Sequence, residues 1–220
     1  MSSSDLAKRL WLARVDGRQL ALSQSEQCLS VEDAYRLQQD YIGAADSALN
    51  GWKVGATNPQ GQAALGLSEP FAGPLFERFT HRSPMTFPIT GDQPVIVEVE
   101  FVLRLGEDIA HGETRGSLES VRNAVDAVCP ALEIGGARLG SLTESSTPLL
   151  IADAAGNGGV VYAPPINASR LEGLEGQQGA LIINGQVIET GTGADVLGHP
   201  LNALLWLLEH LSRYGRGLRR

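Results

Sequence analysis

The chain has 220 residues and a mass of 23.4 kDa, enough for one domain with a sizeable core. Its 25 acidic against 17 basic residues leave a net charge of −8, which argues against a nucleic acid or an anionic membrane as partner. No apolar run approaches the roughly 18 residues of a membrane span. The opening MSSSDLAKRLWLARVDG is broken by charges and lacks the apolar stretch of a secretory signal. Cys28 and Cys129 match no metal or redox spacing and read as free thiols of a cytoplasmic protein.

Residues 5–15 carry Leu6, Leu10, Trp11 and Arg14 at helical spacing, and Gly17 ends the pattern. Ser30 caps a second helix, with Asp33 three residues on and a stripe from Val31 to Ala45. These helices form an N-terminal segment, residues 1–50, ahead of a main domain, residues 51–220. Asn50-Gly51 turns the chain into a short strand, 52–54, within GWKVGAT. Lys53 is then a lone cation in an apolar strand bounded by glycines. It either reaches back to the surface or faces acids or an anionic substrate. A short helix over 60–65 and a Pro/Gly-rich loop follow. With Phe71, Leu75 and Phe76 in it, that loop is expected to be a mobile lid.

Residues 95–105, VIVEVEFVLRL, read as one long strand. Glu98 and Glu100 are two residues apart and share a face, while Val97, Val99 and Phe101 take the other. Glu133 lies in a second apolar run, PALEI. Three carboxylates drawn from apolar segments make an oxygen-only ligand set suited to a hard divalent cation. The alternative is a solvated acidic face with salt-bridge partners. Further on, 116–127 reads as a helix, and 129–134, 149–152 and 160–162 as strands. Asn184-Gly185 joins strands 178–184 and 186–190 in a hairpin. Residues 201–213 form a last helix with Leu201, Leu204, Leu205, Leu208 and Leu211 on one face.

GWKVGATN, LGLSEPFAGPLF, VEVEFVLRLGEDI, PALEIGGARL, DAAGNGGVV and GHPLNALLWLLEHL stand in that order. Together they resemble the 2-keto-4-pentenoate hydratase family of the fumarylacetoacetate hydrolase superfamily. The resemblance implies an α+β fold, a rolled mixed β-sheet with peripheral helices. It implies one Mg²⁺ or Mn²⁺ on Glu98, Glu100 and Glu133, and a catalytic Lys53. It places Phe71, Leu75, Asp153 and Asn157 in the substrate pocket. The implied activity is hydration of a small 2-hydroxy-2,4-dienoate or 2-keto-4-enoate in aromatic catabolism, by a cytoplasmic homo-oligomer. The alternatives are a decarboxylase of a vinylogous 2-keto acid, an acylpyruvate C–C hydrolase, and an inactive ligand-binding paralogue. Phe71 stands where the family carries an acid, so a more apolar pocket is expected. The family continues past the last helix with further strands. Here only residues 214–220 follow, and that tail is expected to be too short and polar to pair.

Overall fold

The computed structural model describes residues 3–89, 95–113, 116–140, 145–167 and 171–220. The N-terminal part is helical: α1 (Ser3–Val15), α2 (Gln24–Gln27) and α3 (Val31–Ala44). Ser30 accepts a hydrogen bond from the Asp33 amide, as a helix N-cap should. The helix α2 is absent from the sequence reading; a reciprocal Ser23–Glu26 capping box starts it. Then come β1 (Leu49–Gly55), α4 (Pro59–Leu65), β2 (Phe71–Phe76) and β3 (Thr80–Arg82). The long strand β4 (Val97–Leu105) follows, and α5 (Leu118–Ala124) leads straight into β5 (Val125–Gly135). The helix expected over 116–127 therefore stops early. Its last residues, Val125 and Ala127, already alternate between buried partners in the sheet.

After β5 come α6 (Thr147–Ala152), β6 (Asn157–Tyr162), β7 (Ile166–Asn167), β8 (Gln178–Ile183), β9 (Gln186–Thr192) and α7 (Pro200–Ser212). Residues 149–152, read from sequence as a strand, are helical. Pro148 sits in the first turn, where its missing N–H is harmless and its fixed φ suits a helix. A four-residue apolar run carries no period of its own, so it could not be told from a strand.

The main sheet has the order β3-β6-β5-β4, with β7 also on β5. Only β3–β6 is parallel, so the sheet is mixed. Two antiparallel pairs stand apart, β1–β2 and β8–β9. The β8–β9 turn is made by Asn184 (φ 52°) and Gly185 (φ 80°), both left-handed, as the shortest hairpins require. The tail is not idle: Ile109 and Leu218 exchange two backbone hydrogen bonds of 2.9 Å, so the expectation that it makes no strand pairing fails locally.

Among the described residues there are two apolar cores. In one, Leu6, Leu10 and Trp11 of α1 pack on Tyr35 and Tyr41 of α3, on Phe76 of β2 and on Ile151 of α6. In the other, Leu201, Leu204, Leu208 and Leu211 of α7 pack on Val121, Val125 and Val128. The first core ties the N-terminal helices to β2 and α6, and through them to the site described next.

Candidate active site

Strands β4 and β5 run antiparallel with Glu98 opposite Glu133 and Glu100 opposite Ala131. Directly opposed residues share a face, and so do residues two apart along a strand. Glu98, Glu100 and Glu133 are therefore brought onto one face. One oxygen from each lies within 4.8 Å of the others. Burial rises across the cluster, from exposed Glu98 through half-buried Glu100 to Glu133, which is 2% exposed.

Lys53 arrives from β1. Its Nζ lies 3.0 Å from Glu133 Oε1 and 5.8 Å from the centre of the Phe71 ring. The approach depends on Gly73, paired with Lys53 across β1–β2. A Cβ on Gly73 would lie 2.5 Å from the Ala154 carbonyl oxygen and 2.5 Å from Ala155 Cβ. Only glycine lets β2 sit this close to the turn before β6. That turn passes through Ala154 (φ 52°) and Ala155 (φ 56°), an uncommon left-handed pair for non-glycine residues. It delivers Asn157, whose Nδ2 donates to Glu133 Oε1 at 2.8 Å.

The electrostatics are lopsided. Burial and repulsion from Glu133 and Glu98 push the Glu100 carboxyl up to about 8, despite Lys53 nearby. Burial works against the Lys53 charge, but Glu133, Glu98 and Glu100 outweigh it and raise the Lys53 pKa. With all three carboxylates ionised, the cluster and its one ammonium would carry two negative charges, which one divalent cation would balance. The donor set is all oxygen, as Mg²⁺, Mn²⁺ or Ca²⁺ prefer, so these residues fit such an ion.

A cavity of about 670 Å³ opens beside the cluster. Lys53, Glu100 and Glu133 form its polar end, and Trp52, Leu75, Phe101 and Leu204 line apolar wall. Leu75 lines this cavity, from strand β2 rather than from a loop. Phe71 does not: it lies in strand β2 rather than a lid, is 4% exposed, and packs against Gly55. A strand with five of six residues buried has no room to move as a lid. Asp153 is likewise away from the cavity. It is 1% exposed and accepts from the Arg138 Nε at 2.7 Å and from the Leu139 amide at 3.2 Å. Arg138 also donates to the carbonyls of Gly136 and Asn157, so the pair clamps the exit of β5 to the entry of β6. Asn157 is buried beneath Glu133 rather than lining the cavity.

Comparison with known proteins agrees with this arrangement. A 2-keto-4-pentenoate hydratase of Paraburkholderia xenovorans (strain LB400) is 32% identical over 221 residues, covering 98% of this chain and 80% of that protein. The chain belongs to the 2-keto-4-pentenoate hydratase family. It is therefore of the lyase class. Another member, the 2-oxo-hept-4-ene-1,7-dioate hydratase of Escherichia coli, is 32% identical over 95% of this chain and 81% of its own length. Among solved structures, the 4-oxalocrotonate decarboxylase of Pseudomonas putida G7, complexed with magnesium and adipate, superposes with a TM-score of 0.83. It is 21% identical and covers 99% of this chain and 83% of its own. A fumarylacetoacetate hydrolase family protein of Yersinia pestis CO92 follows at a TM-score of 0.55, covering 80% of this chain and 81% of its own. The fold is accordingly the α+β one of the fumarylacetoacetate hydrolase superfamily. No family model matches the sequence. Among the described residues, no helix is long and apolar enough to cross a membrane.

Proposed function

We propose that this protein is a metal-dependent hydratase of a small 2-hydroxy-2,4-dienoate, or its 2-keto-4-enoate tautomer, of the kind produced when aromatic compounds are broken down. The observation that carries this is the Glu98–Glu100–Glu133 cluster, with Lys53 in contact with Glu133, beside a cavity that Lys53, Glu100 and Glu133 line together with Trp52, Leu75 and Leu204. Family membership supplies the reaction class.

Glu98, Glu100 and Glu133 would hold Mg²⁺ or Mn²⁺. When bound, such an ion supplies Lewis acidity that favours the charged form of a 2-keto acid. The chain's own groups do the rest. Lys53 keeps its proton and sets a positive charge beside the ion site, where the acid end of the substrate belongs. The reaction moves one proton to carbon and adds water across the distal double bond. Lys53, held by its contact with Glu133, is the group placed to give a proton to carbon and to regain one from the attacking water, so that one water is consumed and no proton is left over. Leu75, Phe101 and Leu204 hold the carbon chain and keep loose water from the polar end. Phe71 and the buried Asp153 support these groups from behind.

A cytoplasmic homo-oligomer fits this reading. Both cysteines are free, and Ile182, Val187 and Ile188 expose an apolar face on the β8–β9 hairpin that a second subunit would cover.

The test is direct. The full chain with Mn²⁺ and 2-hydroxypenta-2,4-dienoate should consume the diene absorbance and yield a 4-hydroxy-2-keto acid. Lys53→Met should abolish turnover and leave Mn²⁺ affinity within about tenfold. Release of CO₂ from a vinylogous 2-keto acid, with no hydration, would assign the decarboxylase reaction instead.

A further inference from the structure

Arg14 is out of place by the ordinary rules. It sits in the last turn of α1, on the stripe otherwise made by Leu6, Ala7, Leu10 and Trp11, and is 5% exposed. Fully buried arginines are rare without a partner that uses their fork. No carboxylate pairs with this one among the described residues. Its guanidinium lies 4.3 Å above the Phe79 ring, and its Nη2 donates to Asn157 Oδ1 at 2.8 Å, with the Gly158 carbonyl at 3.5 Å. Nε and Nη1 are buried and make no full hydrogen bond, although the Tyr41 hydroxyl is close enough to interact with the guanidinium. One well-formed contact to Asn157 is thus kept with the other nitrogens poorly partnered, which is costly unless the contact does something.

What it does follows from donor chemistry. A guanidinium can only donate, so the Asn157 atom facing it must be the carbonyl oxygen. The amide nitrogen is then forced to the other side, toward Glu133, where it donates at 2.8 Å. Without Arg14, the two ends of the amide could exchange by a half-turn, and an oxygen would face a carboxylate oxygen. With it, Glu133 Oε1 accepts from both Asn157 Nδ2 and Lys53 Nζ. Oε1 is occupied, and the other carboxylate oxygen is left for a cation.

We infer that Arg14 is a positioning residue of the metal centre, acting through Asn157 to fix which oxygen of Glu133 is offered to the ion. The N-terminal helix α1 is thereby part of the site, 143 residues away in sequence from the amide it orients. This rests on the metal-centre reading above, and Mn²⁺ binding by itself tests it, with no substrate needed.

Mn²⁺ affinity is measured by calorimetry on the full chain, alongside a thermal melt with and without the ion. The variants are Arg14→Met, Asn157→Leu and the double variant. Groups that orient a metal ligand typically change affinity by about 10–100-fold, and each single variant should fall in that range. The double variant should bind no more weakly than Asn157→Leu, because residues acting in series are not additive. A merely structural arginine would lower the melting temperature and leave that coupling at zero. Parent-like affinity in Arg14→Met, or two losses that multiply, overturns the inference while leaving the metal centre standing. A parent that binds no Mn²⁺ overturns both. If Arg14→Met does not melt cooperatively, Arg14→Gln replaces it. Glutamine keeps a polar side chain but offers an acceptor as well as donors, so it no longer dictates which end of the Asn157 amide faces it; the same loss is expected, and parent-like affinity there refutes the role.

Discussion

Glu100 offers a test in which stability and function pull in opposite directions. Its carboxyl is raised from 4.5 to about 8, by burial first and by Glu133 and Glu98 next. The sign follows from proton counting. Below pH 4.5 the group is protonated folded or unfolded and contributes nothing. Above it, the unfolded chain ionises freely while the fold resists until about pH 8. The fold binds the extra proton, so stability falls as pH rises through that window. At about 1.4 kcal/mol per unit, the penalty at pH 7 is about 3 kcal/mol. Glu100 is half-buried, so water screens part of it and this is an upper figure. Lys53, raised from 10.5, stays protonated throughout pH 5–8 and adds only a constant.

Glu100→Gln removes the ionisation and keeps the shape. In chelator, urea unfolding should show the variant and parent nearly equal at pH 5. The variant should become the more stable by up to about 3 kcal/mol at pH 7. Mn²⁺ should close most of that gap: at 100 times Kd it adds about 2.7 kcal/mol to the parent and far less to the variant. A constant offset between the two proteins from pH 5 to 8 would refute the reasoning, since no group would then be titrating in the window.

Gly73→Ala should cost about 1–3 kcal/mol by overpacking against Ala154 and Ala155, and turnover should drop sharply because β1 and Lys53 must shift; a normal kcat would show that Lys53 is placed by something else. Asp153→Asn leaves Arg138 buried without its counter-charge and should lower stability by about 3–5 kcal/mol in a urea melt. Phe71→Asp, which would place an acid where the resemblance leads one to expect it, is expected to fail as a gain of function. It buries a charge where the ring packs on Gly55, so the melting temperature should fall before any new activity appears. Gly185→Ala, at φ 80°, should cost about 1–2 kcal/mol and leave Mn²⁺ affinity unchanged, since the turn residues Asn184 and Gly185 belong to neither the acid cluster nor the cavity wall.

Much of the fold was legible where local chemistry decides the outcome. Ser30 with Asp33, Asn184-Gly185 and the leucine stripe of the last helix each carry their own signal, and α3, the β8–β9 hairpin and α7 stand where those signals place them. The errors fall where tertiary packing decides. Residues 71–76 have the Pro and Gly of a loop, yet form a strand because β1 offers them a partner along its length. Residues 149–152 have the apolar run of a strand, yet form a helix between Pro148 and the left-handed turn at Ala154. Neither partner is visible from inside the segment itself.

The site divides along the same line. A carboxylate announces itself when it sits in an apolar strand, and Glu98, Glu100 and Glu133 were readable for that reason. The groups that aim those carboxylates are not readable in the same way, because each acts across a long separation. Asn157 looks like a turn residue before two glycines; its donation to Glu133 depends on the register of β5 against β6. Arg138 looks like a surface arginine after a glycine pair; its clamp on Asp153 exists only once the chain has turned back on itself. Arg14 did leave a trace, as a charge on the apolar stripe of α1, but the trace could not say what the charge was for. Asn157 and Arg14, neither of them on the cavity wall, thus stand in line behind Glu133, and on the inference above they set which of its oxygens is offered. A relative that kept all three acids and lost Arg14 or Asn157 would look intact by its motifs and bind its ion poorly.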